Sequence, residues 1–242
     1  AFSRRQTLQA KVLDLYNSWM DEAAIEARGI EPLKADLDKI NAAKTKTDLM
    51  KIMGTPDGAS PIGFWISPDP ADPTKYTVNV TQTGLGMPNR DFYLDKNERF
   101  VGYRTAYKAY VTKIFELLGD ADPAKSADTV IALETKLATV HWAPEKQRDV
   151  QATNNPVDRA GLQKMIPAIE WNVFLEGLGL GQQQKFVVNE TTALRDGAKL
   201  VDTQPIDAWK KYLAFHLAND NANALPKAFD DANFNFFRKA LA

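Results

Sequence analysis

The chain has 242 residues, of which 44% are hydrophobic and 25% charged, enough for one large domain or two small ones around a real core. Lysine plus arginine number 30 against 31 aspartates and glutamates, a net charge of −1, which argues against nucleic acid as the main partner because phosphate binding needs a surplus of positive charge. The absence of cysteine excludes disulfides, thiolate metal sites and cysteine nucleophiles, and the only two histidines, His141 and His216, stand too far apart in sequence to read as a ligand pair.

The first elements read as helices. Leu8, Val12, Leu15, Tyr16 and Trp19 recur at spacings of three and four, Ala23, Ala24 and Ala27 continue the stripe, and Gly29 suits the left-handed end of a helix. Glu31-Pro32 opens a second helix whose buried face is Leu33, Leu37 and Ile40, and a short third helix over 47–53 stops at Gly54. From Pro56 to Pro88 the helical period disappears. Segments 62–67 and 76–82 read as strands, the second alternating Tyr76, Val78 and Val80 with Thr77, Asn79 and Thr81. The prolines and aspartates of 69–73 suit a hairpin loop longer than two residues. The glycine- and proline-bearing stretch 84–91 closes this section.

Helical periodicity then returns. Phe100, Tyr103, Tyr107, Tyr110, Val111, Ile114 and Leu118 form a long stripe up to Gly119; helical spacing alone favours a packed face over a ligand groove. Asp122-Pro123 caps a helix carrying Val130, Ile131, Leu133 and Leu137. Shorter helices are predicted over 158–165 and 170–175, a small edge strand over 185–189, a helix from Thr203-Gln204-Pro205 with Ile206, Trp209, Leu213 and Leu217 on one face, and a last helix from Pro226. The expected fold class is mainly α, a multi-helix domain with a small β-hairpin, the hairpin and its following loop occupying about 60–93.

Chemistry is sparse. No H-E-x-x-H, P-loop or G-x-S-x-G motif occurs, and the Gly84-Leu85-Gly86 and 177–181 glycine strings read as turns. His141 sits at a helix end, where the helix dipole favours an imidazolium; His216 reads as a semi-buried packing residue, and Glu134 and Glu145 are two carboxylates among many. Asn79-Val80-Thr81 and Asn189-Glu190-Thr191 are sequons, which matter only in a eukaryotic secretory host. No apolar run reaches the roughly 18 residues of a membrane span. No leader is visible, and the opening Ala1-Phe2-Ser3 reads as a processing, cloning or proteolysis boundary.

Several segments nevertheless form an ordered pattern. Gly84-Leu85-Gly86-Met87-Pro88-Asn89-Arg90-Asp91-Phe92-Tyr93 resembles the G-L-G-x-P-x-R-D-(F/Y)-Y loop of the neprilysin and endothelin-converting-enzyme family of zinc metallopeptidases. Leu15-Tyr16, Met20-Asp21-Glu22 and Arg28-Gly29-Ile30-Glu31-Pro32-Leu33 upstream are similar to the same family. So are Ala132-Leu133-Glu134-Thr135-Lys136-Leu137-Ala138, Arg148-Asp149 and Phe237-Arg238-Lys239-Ala240-Leu241 downstream.

The resemblance implies a helical N-terminal region, residues 1–242, that faces a thermolysin-like lobe across a chamber. In the family that second lobe holds H-E-x-x-H and E-x-x-x-D; two histidines and one glutamate bind zinc, and the other glutamate activates water. None of these motifs occurs here. The expectation is therefore an N-terminal-half fragment with no catalytic residue, no zinc site and no activity of its own. It would serve as the lid or wall of a periplasmic or extracellular endopeptidase that cleaves peptides and small polypeptides. Its partners would be the zinc-bearing catalytic half and, through it, peptides, with no nucleic acid and no membrane span in the chain. Of the motif loop, Gly84, Gly86, Pro88, Arg90, Asp91 and Tyr93 are expected to hold conformation rather than touch substrate. The alternative is a stand-alone helical binding module without catalysis. An unsatisfied apolar surface is expected near the chain ends, the hairpin and the motif loop.

Overall fold

The computed structural model describes residues 8–69 and 72–241. The fold is mainly α with a small sheet. The α helices are α1 (Leu8–Met20), α2 (Glu22–Arg28), α3 (Lys34–Ala42), α4 (Lys46–Met53), α5 (Asp91–Leu94), α6 (Glu98–Leu117) and α7 (Pro123–Val140). They continue with α8 (Pro144–Gln147), α9 (Arg159–Met165), α10 (Trp171–Gly177), α11 (Thr191–Thr203), α12 (Ile206–Asp220) and α13 (Lys227–Phe234). Strands are β1 (Ile62–Asp69), β2 (Asp72–Gln82), β3 (Asn155–Asp158) and β4 (Lys185–Val188). A 3₁₀ turn, Glu31–Leu33, precedes α3, and a π-helical stretch, Asn235–Ala240, follows α13.

Local chemistry sets many of the boundaries. Asp122 accepts from the Lys125 backbone N–H with Pro123 in the first turn, and Thr45 and Asp48 form a reciprocal capping box at α4. Asp21 breaks the first helical run into two by accepting from the Ala24 backbone N–H. Gly119, at φ +73°, ends the α6 region.

The sheet is larger than the predicted hairpin. Its order is β1-β2-β4-β3, with β1–β2 and β3–β4 antiparallel and β2–β4 parallel. The predicted edge strand at 185–189 is therefore interior, and the edge beside it is β3, which carries Pro156 where a missing ladder donor is tolerated. Strand pairing reaches Asp69↔Asp72, so the hairpin loop is tighter than predicted; Pro70 and Ala71 lie outside the described residues. The alternation in β2 does not produce one wet face, since Thr77 and Asn79 are buried like Val78 and Val80. Glu190 clasps the end of β2, accepting from the Thr81 hydroxyl and the Gln82 backbone N–H at 2.9 Å each.

Two apolar clusters hold the body together. One joins the sheet to α4, α10, α11 and part of α12 through Leu49, Val80, Phe174, Leu194 and Trp209. The other gathers α6, α7, α12 and the C-terminal helices around Tyr107, Ile114, Phe215 and Phe229. Each fully buried large side chain contributes about 1.5–3 kcal/mol. The aromatic stripe of α6 is core: Tyr107, Tyr110, Val111 and Ile114 are buried, and Tyr110 stacks on Phe236 with ring centroids 5.1 Å apart. The first predicted stripe differs. Val12, Leu15, Tyr16 and Trp19 of α1 are each more than half exposed, because nothing in the described residues covers that face. Other exposed apolar side chains include Trp65, Ile66 and Tyr76 of the hairpin and, away from it, Val101, Val150 and Phe234, whereas the motif loop is tucked in, with Met87 and Tyr93 buried.

Candidate functional site

The motif loop leaves β2 at Gly84 and docks along one face of α7. Gly84 adopts φ +96°, and a Cβ there would stand 2.6 Å from the Tyr212 hydroxyl and 2.8 Å from the Ser60 carbonyl. The Gly84 carbonyl accepts from the Tyr212 hydroxyl at 3.0 Å. Gly86 packs so closely on Tyr107 that a Cβ would collide with its hydroxyl. The Met87 backbone N–H donates to the Tyr93 phenol oxygen at 2.9 Å, and the Tyr93 hydroxyl donates to Glu134 Oε2 at 2.9 Å. Pro88 is exposed. Arg90 donates to the Ala138 carbonyl at 3.3 Å, and Asp91 opens α5, its backbone N–H capped by the Asn89 side chain at 2.9 Å.

Glu134 is the hub of this arrangement. It is fully buried, and its carboxylate accepts from the Tyr93 hydroxyl, the Tyr107 hydroxyl at 2.8 Å and His216 Nε2 at 2.8 Å. One side chain of α7 thus ties together the loop, α6 and α12. Burial, then the Glu134 charge, pushes the Tyr93 and Tyr107 phenols well above their usual value, so both remain donors. A buried carboxylate of this kind is tolerated because three side-chain donors reach its two oxygens.

His141, one turn beyond Ala138 on the same α7 face, ends that helix as its C-cap. The dipole argument from sequence fails here. Burial drives its pKa down to about 4, the Thr83 backbone opposing and the Arg90 charge adding to the shift. His216 is more buried than its sequence position implied, at 6% exposure. The stripe of α7 carried a readable signal for Glu134: it falls four residues after Val130 and three before Leu137, a charged residue on a core face. Both sequon asparagines are buried; Asn79 donates to the Ser67 hydroxyl and Asn189 to the Thr153 carbonyl. His216, Tyr212 and Gly84 also line an open cleft of about 330 Å³.

The donor set does not fit a catalytic zinc. His216 Nε2 is committed to Glu134, His141 is elsewhere on α7, and no group of three His, Asp or Glu side chains placed to hold a metal occurs among the described residues.

The comparisons with known proteins account for the motif order. The family model described as peptidase family M13 matches residues 2–242. The chain belongs to peptidase family M13. Within it, the chain is 27% identical to endothelin-converting enzyme 1 of Rattus norvegicus and 26% to that of Homo sapiens, in each case over 91% of this chain and 31% of the relative. It therefore spans about a third of the length of these curated M13 relatives. The solved zinc metalloprotease Zmp1 of Mycobacterium tuberculosis superposes in its open state with a TM-score of 0.90 and 31% identity, covering 100% of this chain and 38% of that one. Its inhibitor complex gives 0.91 with 31% identity, covering 99% and 37%. No helix among the described residues is long and apolar enough to cross a membrane.

Proposed function

We propose that this chain is the helical lobe that walls the substrate chamber of an M13 zinc endopeptidase acting on peptides and small polypeptides in the periplasm or outside the cell. It folds as one unit over residues 1–242, and zinc and the catalytic groups come from the remainder of the parent protein. The observation that carries this reading is the superposition on Zmp1 over all of this chain and barely more than a third of the other. The motif loop has a positioning role in this reading. Gly86 and Tyr93 lock it to the Glu134 hub, Gly84 holds it against Tyr212, and Arg90 and Asp91 shape its turn into α5.

The test is reconstitution. Co-expression of this chain with the catalytic remainder of its parent is expected to give a co-purifying complex with chelator-sensitive peptidase activity, each piece alone being inactive. Full activity of the catalytic piece alone, with no binding to this chain at tens of micromolar, would overturn the wall assignment in favour of a stand-alone helical binding module.

A further inference from the structure

We propose that the cleft beside His216 is a cation-accepting site that takes the ammonium head and apolar stem of a lysine side chain. It stands on the cleft itself and does not depend on the chamber-wall reading. No lysine or arginine lines this cleft of about 330 Å³. His216 does line it, is 6% exposed, and has Nε2 committed to the Glu134 carboxylate at 2.8 Å. With the carboxylate as its acceptor Nε2 carries a proton, and Nδ1, a lone-pair acceptor in the neutral ring, has no hydrogen-bond partner among the described residues. In its neutral form this imidazole, more than nine-tenths buried, offers an acceptor, the complement of an N–H donor.

The second polar group points to the same charge. Asp220 follows His216 by four residues, so both project from one side of α12, and both line the cleft. Asp220 is the last residue of α12, where the helix dipole is negative, and no basic residue occupies that last turn. It forms no ion pair among the described residues and accepts only from the neighbouring Asn219 amide at 2.8 Å. The field is felt nearby. Burial first, then the charges of Glu134 and Asp220, hold the Tyr212 phenol well above its usual value.

The remaining walls suit a hydrocarbon stem. Phe64 and Phe174, with ring centroids 5.9 Å apart, sit in the cleft with Leu85 and Leu178. Aromatic faces also attract an ammonium group. A bare metal ion is a poorer match, because His216 and Asp220 lack a third protein ligand among the described residues and the space exceeds what an ion fills. An anion would meet the Asp220 carboxylate and no lysine or arginine.

The test uses the 242-residue chain without metal and follows binding by calorimetry and by ¹⁵N resonances of the His216 ring. Acetyl-Gly-Lys-Gly-amide is expected to bind in the millimolar range or tighter and to shift the Nδ1 resonance. Replacing lysine by norleucine should weaken binding at least tenfold, and Asp220→Asn, at an exposed position outside the Glu134 hub, at least fivefold. Butylamine distinguishes sources: binding as tight as the peptide supports the site with free amines as its ligands, and weaker binding supports a chain-borne lysine. Equal binding of the norleucine peptide, preferential binding of acetyl-Gly-Glu-Gly-amide, or stoichiometric zinc uptake lost in Asp220→Asn would each overturn the proposal, as would failure of every amine to bind.

Discussion

His141 binds its proton far more weakly in the folded chain than free in solution, and the consequence for stability has a definite sign. An unfolded histidine titrates near 6.5; the folded one titrates at about 4 because burial penalises the imidazolium. Between those values the unfolded state holds more protons. The stabilisation is therefore complete above pH 6.5 and is lost progressively as pH falls to about 4, a total of roughly 3 kcal/mol. Urea midpoints measured from pH 7 to pH 4.5 should fall steadily in the parent and less steeply in His141→Gln. Gly86 provides a steric counterpart. Its backbone lies against the Tyr107 hydroxyl, which Glu134 fixes in place. Gly86→Ala should cost ~2 kcal/mol by overpacking, read from urea unfolding. Combining it with Tyr107→Phe should recover part of that loss, since the colliding oxygen is gone, and a double-mutant cycle measures the coupling.

Among the elements, those with strong caps or long stripes were legible in the residues. Asp122-Pro123, the Thr45 box and the α6 stripe mark their helices unaided. The missed ones depend on partners. β3 is a four-residue segment containing Pro156, and only its pairing with β4 makes it a strand. α11 has a face in Ala193, Leu194, Gly197, Ala198 and Val201, but alanine and glycine dilute the apolar signal, so the sequence predicts no element between 189 and 203. The depth of β2 was illegible because Thr77 and Asn79 look solvent-facing until a parallel neighbour and covering helices are known. At the site, the motif loop was visible in the sequence, but the hub was not: Tyr93, Tyr107, Glu134 and His216 converge from four separate segments. α1 shows the limit of periodicity from the other side, a clear stripe with no cover. Short helices are marginal in water without tertiary packing. Amide exchange in this chain alone should therefore be near the unprotected rate in α1 and slow in α7 and α12. Strong protection of α1 in a monomeric sample would contradict this.

The molecule as a whole is a helical body packed on a sheet whose strands come from distant parts of the chain. The β1–β2 hairpin is made early in the chain, but the strand that covers its inner edge is β4: Val80 lies beside Val188. On a ribosome adding about 5–20 residues per second, that partner emerges roughly a hundred residues later, on the order of 5–20 s after the hairpin. Throughout that interval β2 presents an unpaired edge, while α5 to α10 are synthesised between the two strands. Order of synthesis thus separates the life of this chain into a period in which it is prone to pair with the wrong neighbour and a period in which it is not. The boundary between them is the arrival of Lys185–Val188.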